Sequence, residues 1–331
     1  MDFNQIWEQI KGAFGSIGDV FGQIQPYLAQ VGDFLKKSPP LFVAFIMFLT
    51  VLFDPSAQST DTSVLVREDV YVLMEALTMG QGITNDGEYY YTSGAITALK
   101  QTALAKYDMK TMKQVAKADN PLPSELTNLG CDHIGGISYY NGKIYASVED
   151  SKNYEHPHIV VFDAATLKYE KHYNLHPKDQ GEGHNEDPLG NFVTRYPDGV
   201  PWCAVNPETG ILYASYWSHA KVIYKYDIDS TMAYMGAIEL TGIGELDRIQ
   251  GGEFYEGKLY LSQDNSGRIK NVLKVNVNTG NVSLAFTRDV GGDKIEAEDL
   301  TVFLDSDGAL FHVLDYNSLI GVYMRHYDVS F

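Results

Sequence analysis

The sequence has few cysteines and lacks the short motifs of several common enzyme classes. Its two cysteines, Cys131 and Cys203, stand in no Cys-x-x-Cys or Cys/His spacing, so a zinc site is not expected and the two thiols are predicted to be buried and unpaired. There is no Gly-x-Ser-x-Gly, no Gly-x-x-x-x-Gly-Lys-Ser/Thr and no His-Glu-x-x-His. Serine-hydrolase, P-loop and zincin chemistry therefore have no support.

The chain also lacks an excess of basic residues. It carries 25 Lys and Arg against 43 Asp and Glu, a formal net charge of -18. Such a balance argues against nucleic acid as a partner, because binding to phosphate backbones depends on a basic surface. The surplus of acids suits solubility outside the cell and cation binding, with a merely solvated surface as the alternative.

Long apolar runs are scarce, and the longest, Leu41–Phe53, has 13 residues. This is shorter than a typical spanning helix, but with residues from Ser38 onward it predicts a membrane anchor or signal-anchor over residues 38–54. The alternatives are a cleaved signal and a buried hydrophobic helix. Lys36 and Lys37 precede the run, and basic residues flanking a membrane segment favour its cytoplasmic side. The N-terminus is therefore predicted to lie in the cytoplasm and the rest of the chain outside it.

Residues 1–37 carry an apolar stripe whose steps alternate between four and three residues, the spacing of one helix face. The stripe consists of Phe3, Trp7, Ile10, Phe14, Ile17, Phe21, Ile24, Leu28, Val31 and Leu35. Pro26 removes a backbone donor, so two amphipathic helical pieces are expected. They could lie at a membrane or pair with a partner helix, and residues 55–64 are interpreted as a linker.

From about residue 65 the sequence repeats one pattern, in which a small or apolar segment leads through a Gly-containing turn into an aromatic-rich strand. The five copies are Gly80–Gly94, Ile134–Val148, Trp202–Ser215, Gln250–Asp264 and Glu298–Phe311. Each is followed by a second strand pair, as in His158–Tyr173. Four short strands per unit predict the blades of a β-propeller, an all-β fold, over residues 65–331.

The number of blades follows from the repeat count and from the end of the array. The last unit has a third strand at Gly321–Tyr327 and no fourth, and the segment Val70–Leu77 has the composition to supply it and close the ring. Five blades are therefore predicted. Six would require a further unit in residues 174–200, which instead resemble a loop rich in Gly, Pro and charge.

The repeats resemble those of extracellular β-propellers in the broad group that contains the NHL, SMP-30-like and glutaminyl-cyclotransferase families. Gly80–Gly94 is similar to the opening blade of plant-type glutaminyl cyclotransferases, where Gln-Gly-Leu precedes an Asp-Gly turn and a Tyr-containing strand. Ile134–Ile137, Ile-Gly-Gly-Ile, has no Glu where that family has Glu-Gly. The resemblance implies the fold and leaves the activity open.

Polar side chains recur where first strands begin and second strands end, positions that share one face of a propeller. Carboxylates and amides from separate blades can supply the oxygen ligands of calcium, which is the candidate cofactor. The predicted metal ligands are Asp132, Glu149, Asp264, Glu298 and Asp299. For each of them a solvated strand end is the alternative.

The same face should carry aromatic and titratable side chains. Ligand-binding candidates, including tryptophans that could stack on a sugar or peptide, are Trp202, Trp217, His219 and Gln250. His184 lies in the longest connection between units, Gly181–Gly190, which could be a functional lid or a solvated loop. The catalytic candidates are His133, His184 and Glu298.

Three functions remain open from the sequence. The first is a membrane-tethered extracytoplasmic propeller that binds a small molecule, sugar or peptide on the acidic face. The second is an enzyme using that face, either a calcium-dependent hydrolase of lactonase or esterase type or a glutaminyl-cyclotransferase-like protein. The third is a structural module that serves assembly of the N-terminal helices. Fold resemblance alone does not choose among them.

Overall fold

The computed structural model describes residues 56–72, 76–96, 99–175, 196–318 and 321–329. These residues form five sheets of four antiparallel strands each, and one sheet gains a short fifth strand in parallel. The predicted helical and anchor segments, residues 1–37 and 38–54, lie outside the described residues. Within the described part, no helix is both long enough and apolar enough to span a bilayer.

The strands fall into five blades, A to E, whose strands are named in order from the innermost to the outermost. Blade A contains β2 (Ile83–Asn85), β3 (Tyr89–Ile96), β4 (Gln101–Asp108) and β5 (Gln114–Asp119). Blade B contains β6 (His133–Tyr140), β7 (Lys143–Glu149), β8 (His158–Asp163) and β9 (Tyr169–Asn174). Blade C contains β10 (Trp202–Val205), β11 (Ile211–Ser215), β12 (Val222–Asp227) and β13 (Ala233–Glu239).

Blade D contains β15 (Ile249–Tyr255), β16 (Lys258–Gln263), β17 (Ile269–Asn276) and β18 (Asn281–Asp289), with the two-residue strand β14 (Thr241–Gly242) on its outer edge. Blade E contains β19 (Glu296–Val302), β20 (Phe311–Asn317), β21 (Gly321–Asp328) and β1 (Val64–Val72). Two short helices, α1 (Ala76–Met79) and α2 (Ser124–Asn128), precede blades A and B.

The blades close into a ring because every blade shares a hydrophobic core with the next. The B–C core joins Tyr145 and Ile159 to Val205 and Leu212, and equivalent cores join A to B, C to D, D to E and E to A. Blades B and C therefore pack directly together, although residues 176–195 of the connection between them are not described. The prediction of a five-bladed propeller is confirmed, and no sixth blade separates B from C.

Ring closure uses a strand from before blade A, as predicted, but its position differs from the prediction. The closing strand is β1, which pairs antiparallel with β21 from Val64 opposite Asp328 to Val72 opposite Gly321. The predicted segment was Val70–Leu77, of which residues 70–72 belong to β1 and residues 76–77 belong to α1. Arg67, Glu68 and Asp69 obscured the strand, because their ion pairs join residues that are distant in the chain.

The aspartate that ends the third strand in blades A, B and C has a structural explanation. Asp108 Oδ1 accepts hydrogen bonds from the backbone N–H groups of Lys110 and Thr111, and Asp163 Oδ1 accepts one from Thr166. This arrangement is an Asx turn, in which the side chain replaces a backbone partner and reverses the chain. The motif seen in sequence therefore fixes the turn between the third and fourth strands.

Glycines line the axis of the ring because the innermost strands approach one another too closely for side chains. A Cβ on Gly135 would lie 2.4 Å from the carbonyl oxygen of Pro201, and one on Gly82 would lie 2.6 Å from that of Gly135. A Cβ on Gly251 would lie 1.7 Å from Oδ1 of Asp299. The Gly-Gly steps of the repeat are thus a consequence of packing around a narrow axis.

Candidate functional site

The upper face is the face where the innermost strands begin and where the second strand of each blade leads into the third. The predicted site residues in blades B to E belong to these positions, apart from Glu298 and Asp299, which lie within β19. The structure separates them into a partly exposed polar group between blades A and B, an ion-paired group on blade D, and buried acids near the axis.

His133 is held between side chains from two blades. Gln81 Nε2 donates to the carbonyl oxygen of Gly80 at 2.8 Å, which leaves Oε1 as an acceptor for the Nε2–H of His133 at 2.6 Å. Nδ1 lies 3.2 Å from Oε1 of Glu149 but makes no hydrogen bond. The side chain of His133 is 18% exposed. The hydrogen bond to Gln81 therefore orients the imidazole, while part of the side chain still faces solvent.

Glu149 is positioned by the long connection between blades B and C. Its Oε2 accepts the backbone N–H of Val200 at 2.6 Å. Gly199 has a φ of +96°, and a Cβ there would lie 2.1 Å from the same oxygen, so glycine is required for the approach. Gln81, His133 and Glu149 are the polar triplet of the upper face.

Asp264, a predicted metal ligand, is instead neutralised by two cations. Lys270 Nζ donates to Oδ1 at 2.7 Å, and Arg248 binds both the carboxylate and the backbone carbonyl of the same residue. Burial pushes the pKa of Asp264 upward, but the hydrogen bonds from Lys270 and Arg248 outweigh burial and hold it below its ordinary value. The Arg248 guanidinium also lies 5.0 Å from the ring centre of Trp217.

Glu298 is a buried acid with an unsatisfied oxygen. The residue is 1% exposed, and Oε1 has no hydrogen-bond partner. Burial raises the pKa of its carboxyl well above the ordinary value, and the neighbouring acids Glu296, Asp264 and Asp315 raise it further. The neutral, protonated form of Glu298 is therefore favoured, and that form can donate a proton.

Asp299 links three inner strands near the axis. Its Oδ2 accepts the N–H groups of Ile83 and Ile137, both at 3.1 Å, and its Oδ1 accepts the N–H of Leu300 at 2.8 Å. Burial raises the pKa of the Asp299 carboxyl well above its ordinary value. The three hydrogen bonds lower the pKa, but burial outweighs them. A β-bulge between Ala297 and Leu300 allows both Glu298 and Asp299 to point away from the regular pairing.

The remaining predicted residues have mixed placements. Trp202 is fully buried and donates from Nε1 to Ser215 Oγ, so it belongs to the core and offers no ring face for the stacking role predicted for it. His219 is exposed and lies 3.1 Å from Glu245, whose hydrogen bond raises the pKa of the imidazole. Gln250 is half-buried at the axis, and His184 lies outside the described residues.

The five predicted metal ligands do not fit calcium well as they stand. Asp132 accepts hydrogen bonds from Ser151, and the carboxylates of Glu149, Asp264 and Asp299 are engaged by backbone N–H groups or cations. A calcium ion needs several carboxylate and carbonyl oxygens directed at one point. Within the described ranges these five acids do not converge in that way, and calcium stays a prediction.

A cavity of about 270 Å³ lies between blades A and B, and its lining includes Asp132 and Asp150, the chain neighbours of His133 and Glu149. Among its lining residues are two lysines, Lys100 and Lys152, together with Cys131 and the predicted ligand Asp132. Burial raises the pKa of the Cys131 thiol to about 12, so this cysteine is unreactive. Cys131 and Cys203 are both buried and free, which confirms that part of the sequence prediction.

Comparison with known proteins shows the fold and leaves the family open. No protein-family profile matches the sequence, and no curated protein matches it. Among solved structures, Myxococcus xanthus glutaminyl cyclase is similar, with a TM-score of 0.52 and 14% identity over 81% of this chain and 97% of that one. The Malassezia sympodialis allergen Mala s 1 is also similar, with a TM-score of 0.45 and 8% identity over 75% of this chain and 77% of that one.

Several residues of the upper face were not predicted from the sequence. Gln81 could have been found, because it lies in the first repeat just before the first strand, a position on the upper face. Arg248 and Lys270 were not identified, because a sequence does not show which cation meets which acid across a blade. Asp198, which accepts the N–H groups of Trp217 and Ser218, lay hidden in the long connection.

Proposed function

We propose that this propeller binds a small polar molecule, a sugar or a peptide at the polar triplet of its upper face. One observation carries the proposal: Gln81 orients His133 through a hydrogen bond of 2.6 Å, and Glu149 lies 3.2 Å from Nδ1 of the same ring, which stays partly exposed. A preorganised polar group loses little freedom when a ligand arrives, which favours binding. The adjoining cavity between blades A and B provides room for the rest of the ligand.

Aromatic and charged groups nearby extend the proposed site. The ring of Trp217 is backed by Arg248, and Asp198 holds the backbone of Trp217 in place. An indole of this kind can stack on a sugar ring or on a peptide group. The triplet would supply hydrogen bonds and the indole would supply apolar contact.

Binding can be tested with N-acetylglucosamine, glucose and a short peptide that begins with glutamine, by saturation-transfer NMR. At least one probe should give a signal that His133→Ala removes. His172→Ala is the matched control, because His172 lies on the outer strand β9 and should leave the signal intact. Equal signals in both variants, or none from any probe in the native protein, would contradict the proposal.

A catalytic function is the second candidate, because Glu298 combines a raised pKa with an unsatisfied buried oxygen. Such an acid could protonate a leaving group in a hydrolase or in a glutaminyl-cyclotransferase-like reaction. The fold shared with a glutaminyl cyclase is consistent with this proposal. Ammonia release from the glutamine peptide, lost in Glu298→Gln, would support it, and no release above the buffer rate would exclude that reaction.

The calcium form of the enzyme hypothesis has its own test. If calcium binds the native fold at the predicted acids, the melting temperature should rise with calcium concentration and the rise should disappear in Glu298→Gln. An unchanged melting temperature over millimolar calcium would remove calcium from the proposal.

We also propose that residues 38–54 tether the propeller to a membrane, with the propeller outside the cytoplasm. The support is the apolar run Leu41–Phe53 and the two lysines before it. Full-length protein should remain in membranes after alkaline carbonate extraction, whereas a variant lacking residues 1–55 should not. Release of the full-length chain by carbonate would contradict the tether. If the full-length chain forms a stable oligomer through its N-terminal segment, that result would favour the structural-module alternative.

A further inference from the structure

Two buried histidines and an aspartate converge at the end of blade E opposite to the upper face. His312 on β20 and His326 on β21 are direct partners in the strand pairing, and Asp305 lies in the turn between β19 and β20. Both histidines are fully buried, whereas the Asp305 side chain is 11% exposed. A ring nitrogen of each histidine and a carboxylate oxygen of Asp305 lie within 4.8 Å of one another.

The hydrogen bonds of His312 show which of its nitrogens is free. Nε2 lies 2.9 Å from the carbonyl oxygen of Phe303, and a carbonyl only accepts, so Nε2 carries the hydrogen. In the neutral ring the other nitrogen, Nδ1, carries no hydrogen. Its Nδ1 therefore presents a lone pair.

His326 is oriented in the same manner. Its Nε2 lies 3.0 Å from Oδ2 of Asp69, to which an Nε2–H donates, and Arg67 Nη2 lies 3.2 Å from Nε2 and 3.4 Å from Nδ1. Its Nδ1 faces Nδ1 of His312 at 2.6 Å. Two lone pairs at this separation repel each other, so either a hydrogen on one of the two Nδ1 atoms or a metal ion lies between them.

The surroundings match the second shell of a metal site. Histidines that bind metals usually donate their other N–H to a carboxylate or a backbone carbonyl, which fixes the ring and its tautomer. His326 uses the carboxylate of Asp69 and His312 uses the carbonyl of Phe303. Asp305 is fixed as well, because its Oδ1 accepts the N–H groups of Asp307 and Ala309.

We propose that Asp305, His312 and His326 bind a divalent transition-metal ion of the zinc type. Two imidazole nitrogens and one carboxylate are suitable ligands for such an ion, and the exposed side of Asp305 leaves a fourth position for water. Zinc–nitrogen bonds of about 2.0–2.1 Å place two tetrahedral ligands about 3.3 Å apart. The two rings would therefore separate by less than about 1 Å from their present distance.

Charge around the site is balanced by residues of the closing strand. Arg67 lies 3.1 Å from Asp69, 2.5 Å from Asp307 and 3.9 Å from the proposed ligand Asp305, so its positive charge is paired with three acids before a metal arrives. Asp69 and Arg67 both belong to β1, whereas the histidines belong to β20 and β21. A bound ion would thus strengthen the contact that closes the ring.

The test uses full-length protein stripped with a chelator and then dialysed against one equivalent of zinc or cobalt. We expect about one equivalent of zinc to be retained, the absorption bands of tetrahedral cobalt, and a rise in melting temperature that calcium does not reproduce. Asp305→Asn and His326→Gln should abolish the cobalt bands. Asp69→Asn should keep them but weaken affinity about 10- to 100-fold, as loss of an outer partner does.

The matched control is His158→Gln, because His158 and His172 form a similar ring pair in blade B, with ring centres 5.5 Å apart. This variant should bind zinc and cobalt as the native protein does. Circular dichroism would show whether each variant folds, and Asp69→Asn leaves all three ligands in place. Retention of the cobalt bands in folded Asp305→Asn and His326→Gln, or no metal bound by the native chain, would overturn the proposal and leave a shared proton between the histidines.

Discussion

The joint between blades D and E should depend on one buried carboxylate. Asp315 on β20 receives Arg288 of β18 through both oxygens, at 2.5 and 2.6 Å, and Arg325 of β21 at 2.7 Å. Arg325 in turn binds Glu68 of the closing strand at 2.5 Å. Asp315 and both arginines are fully buried. The cluster therefore connects blade D, blade E and the strand that closes the ring.

Replacing Asp315 by alanine would leave two buried guanidinium groups without the carboxylate that binds both of them. Removing one partner of a buried ion pair typically costs about 3–5 kcal/mol, because the remaining charge stays desolvated. Arg288 Nε and Nη2 and Arg325 Nη2 already have no hydrogen-bond partner, so no spare acceptor is at hand. We expect a loss at the upper end of that range.

The assay is equilibrium urea denaturation, followed by tryptophan fluorescence. Asp119→Ala is the control, since Asp119 pairs with Lys117 at 2.7 Å on the surface and an exposed pair contributes less than about 1 kcal/mol. The double variant Asp315→Ala with Arg288→Met should recover part of the loss, because it removes one of the stranded charges. Equal destabilisation by Asp315→Ala and Asp119→Ala would refute the reasoning.

Two further predictions concern the inner strands. Asp299→Ala leaves the N–H groups of Ile83, Ile137 and Leu300 without acceptors, so it should cost about 3–6 kcal/mol in urea denaturation, and a cost below about 1 kcal/mol would contradict its linking role. Burial raises the pKa of Glu253 to about 8, above its unfolded value, so the stability it contributes is present in acid and is lost as pH rises towards 8. Between pH 5 and pH 8.5 the free energy of unfolding should therefore decrease less in Glu253→Gln than in the native protein, by about 1–3 kcal/mol. Thermal melting at each pH measures this decrease, and an equal decrease in both proteins would show that Glu253 titrates normally.

Much of the fold could be predicted because its signals are local. The turn between the first and second strands of blade B is made by Asn141 and Gly142, with φ of 50° and 78°, and blade D repeats it with Glu256 and Gly257. Each conformation needs only the residues at the turn. The count of blades followed from counting such turns and the aromatic strands after them.

The candidate site was harder to predict, because its contacts join residues that are distant in the chain. Glu149 and Val200 meet across two blades, and the acids near the axis were distinguishable only once a bulge in β19 set their directions. Trp202 looked suited to stacking from its place at the rim, but its side chain points into the core between blades C and D. The strand that contains His312 has buried residues on both faces, so periodicity did not reveal its role.

Pairing of β1 with β21 has a consequence for synthesis of the protein on the ribosome. Blade A can form soon after its four strands emerge, and blades B, C and D can add to it in order. Strand β1 must wait, since its partner is the last strand of the propeller to be translated. The growing chain is therefore an open arc with two exposed ends until β21 leaves the exit tunnel, and early termination within blade E would prevent the ring from forming.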